Sequence, residues 1–387
     1  MLVRKGATLK NLYGEKRTAR TQQELNAILL SHERYLSYRG GSRAQLAHAN
    51  LDGLILANRK LAEADFSGAS LVSASLYGSN LERASFYCAD LRECNLQAAN
   101  LTRADLRGAS FKDAKLAYAI LDNADLRAAM MMYVSEDGIS VLDRERGARS
   151  GGPSRVDFSN CSMKGASFGN AKLDGADFTG AILHGANFKS AKLTNVTFKG
   201  AVLTGVNLKD LAVPPEALKG CVTDVTPESA AKFDQLKLML DAHQLWISSG
   251  GAQGAQAVFD GEDLRPLRDL LVGRSLTGLS ARNTNCIGLD FSGSQLQAAK
   301  FDGADLRDAN FTNADLRGAS MKSALLSHAV FEKTNLGGLP LNNGSRLMPD
   351  LTGAEATVEQ FHRAVLEDRV TELGLQPALP PPAPPAD

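Results

Sequence analysis

The chain has 387 residues, 43 basic and 43 acidic, and carries no formal net charge; 44% of it is hydrophobic, but only 6% is aromatic. The even charge argues against a dedicated nucleic-acid binder, which carries a basic excess, and equally against a strongly acidic decoy. Scarce rings with 35 glycines exclude a core built on large aromatics and require something smaller and more regular.

The first twenty residues form a basic arm, with Arg4, Lys5, Lys10, Lys16, Arg17 and Arg20 against Glu15 alone. The start shows no apolar stretch long enough for a secretory signal. No run approaches the roughly 18 apolar residues of a membrane span. Thr21-x-x-Glu24 is a capping box, followed at helical spacing by Leu25, Ile28, Leu29, Tyr35 and Leu36. It predicts a helix over about 22–38, inside a capping segment 21–43 that ends after Gly40-Gly41.

From Leu46 to Leu126 a large apolar residue occupies every fifth position, and alanine stands two residues before most of them. A second run in a new phase extends from Phe158 to Leu208, and a third from Phe291 to Leu336. A period of five fits neither a helix nor a flat strand: such residues would spiral round the one and alternate faces on the other. It fits a backbone that turns a corner every five residues, so that four sides close a coil of about 20 residues around an apolar axis. The bend is expected at each alanine-to-leucine step, with the large residue and its small partner pointing inward and the other three positions facing water. Phe and Leu alternate from 168 to 203, which places phenylalanine stacks on two opposite sides.

Between the first two runs, residues 130–155 lose the period and read as a loop projecting from the side of the stack, either a contact loop or a disordered insertion with no partner. Its Tyr133, Arg144, Arg146 and Arg149, with Arg155, are the candidate partner contacts, because loops on rigid scaffolds often carry binding. Residues 211–226, with Pro214-Pro215, read as a linker. Thr226-Pro227 starts a second helix, segment 227–251, with Phe233, Leu236, Leu240 and Trp246 as its apolar stripe. The two helices look like copies: Leu29-x-x-His32-x-x-Tyr35-Leu36-Ser37 matches Leu240-x-x-His243-x-x-Trp246-Ile247-Ser248. Both histidines are expected to hydrogen-bond against the first coil. Coils over 252–341 follow, distorted between Arg265 and Ile287. A third helix is expected from Thr357 to about Leu373, then a proline-rich disordered tail, both within 342–387.

Ala-Asp-Leu-Arg units at 89–92, 104–107, 124–127, 304–307 and 314–317 resemble the pentapeptide-repeat family, whose pattern is A(D/N)LXX. The resemblance implies an all-β solenoid, the right-handed quadrilateral β-helix, here in two rods (44–210 and 252–341), each preceded by a capping α-helix. It also implies a stack in which every coil needs its neighbours.

No phosphate loop, dinucleotide fingerprint, metal motif or nucleophile elbow is present, so no catalytic, cofactor or metal residue is assigned. Cys94, Cys161 and Cys286 fall on inward positions and read as core residues. Five cysteines without a CxxC pair or a disulfide framework point to a reduced, cytoplasmic protein. His184 and His328 read as outward and isolated. Asp105, Asp125, Asp305 and Asp315, each with an arginine beyond the neighbouring leucine, read as solvated mixed-sign ladders. The expected function is non-enzymatic: an interaction scaffold for an unidentified protein partner, without a small-molecule substrate or direct nucleic-acid binding, and with homodimerisation open. The alternative is DNA mimicry, since some relatives in the family inhibit DNA gyrase and protect it from quinolones. Against it, the runs hold 9 basic and 10 acidic residues (46–129), 6 and 4 (156–210) and 9 and 10 (259–341). A site at the 211–226 joint is the third reading, with no residue set to support it.

Overall fold

The computed structural model describes residues 19–128, 131–134, 140–143 and 156–366. The chain divides into two compact units, Met1–Asp224 and Val225–Asp387.

In the first unit the five-residue period becomes a parallel ladder with four rungs per coil. Gln45, Asn50, Ile55 and Lys60 bridge Asp65, Ser70, Ser75 and Asn80, twenty residues on, and the pattern continues coil after coil. Each rung is closed by main-chain bonds such as Leu61 N–H to the Asn80 carbonyl (2.7 Å) and Asn80 N–H to the Arg59 carbonyl (2.9 Å). The bend does not lie at the alanine-to-leucine step. It lies over the two residues after the large one, where the third residue on donates back, as Ala64 N–H does to the Leu61 carbonyl (3.1 Å). The second turn residue takes positive φ, for example +58° at Arg103 and +57° at Asn123. A left-handed residue at that place turns the chain through the corner.

Among the described residues the large inward residues from Leu46 through Leu203 are buried except Phe111, which is half-buried. Phe158, Phe178 and Phe198 stack at 5.2 and 5.1 Å on one side, and Phe168 and Phe188 at 4.6 Å on another. The two stacks meet edge to face inside the coil, at 5.9 Å and 88° for Phe168 with Phe178, the arrangement that ring quadrupoles favour.

The 130–155 interruption does not break the column. Lys115, Ile120 and Asp125 bridge Asp157, Ser162 and Ser167, 42 residues on instead of 20. The 22 extra residues shift the phase of the sequence but not the stack. Within the interruption, β1 (Met131–Val134) and β2 (Ser140–Asp143) pair antiparallel, Tyr133 opposite Val141.

Helix α1 (Gln22–Leu36) has the full capping box at Thr21 and Glu24 and buries Leu25, Leu29 and His32. The expected stripe is corrected at its end: Tyr35 is 40% exposed and stacks on the His32 ring at 5.9 Å. The linker at 211–226 is also corrected. Leu208–Leu211 and Pro215–Leu218 are short 3₁₀ turns, Leu211 is fully buried, and Val222 bridges Val202. Leu218 and Cys221 pack on the same core. This stretch therefore finishes the column of the first unit.

In the second unit the helical segment is broken at Lys232 into α2 (Pro227–Ala231) and α3 (Phe233–Ser248). Leu236, Leu240 and His243 are buried, whereas Phe233 is 37% exposed. Phe233 stands at the first position of the new helix, outside the stripe. The distortion expected between Arg265 and Ile287 is a 3₁₀ turn at Arg265–Leu270. Two extra residues there make the first bridges span 22, Val258 to Ser280 and Asp263 to Asn285, before regular spacing resumes at Ser275 to Gln295.

The coils do not end near Leu341, and among the described residues no third helix follows. A hairpin, β3 (Leu339–Pro340) with β4 (Arg346–Leu347), leaves the column. Another coil then stacks 30 residues on, through Ser320 to Asp350, Leu325 to Glu355 and Asn335 to Val365. The Thr357–Gln360 box opens only a 3₁₀ turn, Val358–Phe361, in which Phe361 is buried and stacks on Phe331 at 4.5 Å. The expected helix residues after Leu366, and the proline-rich tail, lie outside the described residues.

Candidate interaction surface

Since the axis of each column is filled by side chains, chemistry is carried by the outward positions and the column ends. The residue before each large one is partly shielded by its neighbours on the ladder and does structural work. Asp90, Asp105, Asp125, Asp263, Asp305 and Asp315 each accept the main-chain N–H two residues on, at 3.1–3.3 Å. The same carboxylate holds that residue's guanidinium by two bonds, for example 2.8 and 2.7 Å at Arg107. The hydrogen bond from Arg127 holds the Asp125 carboxyl below its ordinary range, with the main-chain N–H of Arg127 adding to it. The expected mixed-sign ladders are thus first of all clamps within one repeat, forks of the kind arginine makes best.

One ladder of the second unit does run between coils, and the sequence reading missed it. Asp260, Arg282, Asp302, Lys322 and Asp350 alternate in sign up one side. Arg282 sits 3.4 Å from both Asp260 and Asp302, and Lys322 2.9 Å from Asp350. Ser280 donates to Asp260 at 2.7 Å, and Ser320 donates to Asp302. The hydrogen bond to Asp350 raises the Lys322 ammonium. The available signal was alternating charge at the coil spacing, hidden by the insertions at 265–270 and 339–348.

At the helix-bearing ends the matched histidines do the same work. The N–H of Ala44 donates to His32 Nδ1 at 3.1 Å, and that of Ala257 to His243 Nδ1 at 3.1 Å. Each Nδ1 is an acceptor, so each neutral ring carries its proton on Nε2. Both rings are fully buried, and neither Nε2 closes a hydrogen bond. Burial holds both below the ordinary histidine range; the Ala62 carbonyl opposes this at His32 and the Leu276 carbonyl at His243. Tyr35 and Trp246 stack on the two rings, at 5.9 and 5.6 Å.

His184 is not isolated: its Nδ1 lies 2.9 Å from the Thr204 hydroxyl on the next coil. Cys94, Cys161 and Cys286 are buried, and burial pushes their thiols up, that of Cys286 to about 12. Thiols that stay protonated are poor nucleophiles and metal ligands. Of the candidate contact residues, Tyr133 lies on β1, while Arg144, Arg146, Arg149 and Arg155 lie outside the described residues. Among the described residues no group of three or more His, Cys, Asp or Glu side chains is arranged to hold a metal ion, and no helix is long and apolar enough to cross a membrane.

A family model of pentapeptide repeats matches the chain in eight copies, over 42–71, 49–87, 60–97, 89–127, 154–189, 181–211, 275–308 and 304–338, together more than half its length. No curated protein matches. Among solved structures, the chain is similar to a pentapeptide repeat protein of the Arabidopsis thaliana thylakoid lumen (23% identity, 36% of this chain and 66% of that one, TM-score 0.19). It is also similar to HetL of Nostoc sp. strain PCC 7120, described as involved in heterocyst differentiation regulation (22%, 86% and 90%, TM-score 0.14). A third is full-length QnrB1, a plasmid-mediated fluoroquinolone resistance protein (16%, 76% and 87%, TM-score 0.18).

Proposed function

The chain belongs to the pentapeptide-repeat family, and from that premise we propose that it is a non-enzymatic scaffold whose outward faces bind a protein partner. We read the two columns as two rods, and α1 and α3 as caps that keep the open coil ends from pairing with other chains. The observation that carries the proposal is the locking of outward side chains. Asp–Arg forks and the Asp260–Asp350 ladder hold polar groups at one spacing on a packed column, so a partner meets a surface ordered before binding. Preorganised contacts lose less entropy on association.

DNA mimicry draws no support from these faces, because acid and base alternate along them. A cytoplasmic setting suits five cysteines of which none forms a disulfide. The test is affinity capture with the full chain and with a variant lacking 130–155, alongside a gyrase supercoiling assay. The expected result is a reproducible protein partner lost on deletion, and no gyrase inhibition at micromolar protein. An unchanged partner set would remove the 130–155 segment from the binding surface, and gyrase inhibition would replace the scaffold reading by mimicry.

A further inference from the structure

The Asp–Arg forks provide an internal control. Their arginine side chains are alike in sequence and bonding, yet Arg92, Arg107, Arg127 and Arg317 are 32–52% exposed while Arg265 and Arg307 are 11% and 4%. The two covered arginines lie on one side of the second unit, two coils apart along the ladder Asp263–Asn285–Asp305. Ile287 between them and Ser327 beyond are also outward positions, and they are 9% and 1% exposed. A stripe that should face solvent is therefore covered. Helix α3 packs on the first coil, and the β3–β4 hairpin packs over Gly318 and Gly338, on the opposite side.

We propose that this stripe is a docking groove occupied by the chain's own C-terminal residues 367–387. Charge favours that segment: Glu367, Asp368, Glu372 and Asp387 stand against Arg369 alone, whereas the N-terminal arm is basic and the 130–155 segment sets four acids against four arginines. Spacing favours it too. Arg265 and Arg307 are separated by two coils, about 9.6 Å, and a polyproline II strand repeats after three residues, about 9.3 Å. Pro380-Pro381-Pro382-Ala383-Pro384-Pro385 is such a strand in composition. Its unpaired carbonyls would recur in step with the guanidiniums, with Ile287 beneath a proline ring. The fourteen residues from Leu366 to Pro380 reach up to about 46 Å when extended, well beyond the four coil steps, about 19 Å, to the level of Arg265.

The full chain tests this, carrying dyes at Ser292→Cys and Ala383→Cys, with Cys88 and Cys221 replaced by serine. High Förster transfer is expected, falling at least twofold in Arg265→Gln/Arg307→Gln, and equally in Glu367→Gln/Asp368→Gln/Glu372→Gln, which leaves the coils untouched. Excess unlabelled chain should leave the transfer unchanged. Low transfer in the parent chain, or high transfer indifferent to both variants, overturns the proposal. So does a signal abolished by unlabelled chain, which would place the tail on a second copy.

Discussion

At the scale of single residues, two histidines tie the helices to the columns. Each accepts the N–H that opens the first coil and is buried neutral. Burial lowers their pKa in the fold, so below the unfolded-state value of about 6.5 the unfolded chain binds more protons than the folded one. Stability then falls as pH falls, and their contribution is complete above that value. The melting temperature should be flat from pH 8 to 7 and decline from pH 6.5 to 5.5. His32→Gln/His243→Gln should melt lower and lose that decline; an unchanged decline in the double variant would remove the histidines from the account. Their position was legible in the duplicated His-x-x-aromatic pattern. The stacking of Tyr35 and Trp246 on the rings was not, because a helical stripe counts those residues as core.

At the scale of elements, phase decides what a sequence reveals. The period of five announced the coils because each large residue fills the same inward slot. It placed the phenylalanine stacks correctly, since alternate slots lie on opposite sides. It failed wherever chain leaves the column and returns. The last coil was hidden because two of its preceding slots, Leu341 and Arg346, belong to the hairpin, and the Thr357–Gln360 box imitates a helix start. The closing stretch 208–222 was hidden because its prolines look like a linker while Leu211 fills the axis. The candidate contact arginines of 130–155 followed only from loop composition. The hairpin supplies a sharp test. Removing the ten residues 339–348 joins Leu336-Gly337-Gly338 to Pro349-Asp350-Leu351 in phase, so Leu351 should stay inward. Removing nine residues, 340–348, throws Leu351 and Phe361 off the axis, and losing a buried Phe side chain alone costs about 3–5 kcal/mol. Urea unfolding should leave the ten-residue deletion near the parent midpoint and lower the nine-residue one clearly; equal midpoints would contradict the phase rule.

At the scale of the molecule, each column gains stability only by stacking, since one coil cannot bury its own apolar side. The first unit makes the strongest statement of this, because its coils stack across the 130–155 interruption as if it were absent. Glu82 and Thr204 are 122 residues apart in the chain but occupy the same outward position, five coil steps apart through Asn80, Asn100, Ile120, Ser162, Ile182 and Val202. Spin labels on Glu82→Cys and Thr204→Cys, with Cys88 and Cys221 replaced by serine, measure that separation directly by electron–electron double resonance. A continuous column predicts one narrow distribution centred near about 24 Å between the backbone sites. A broad distribution, or a centre far beyond that length, would mean that the coils on the two sides of the interruption do not form one column.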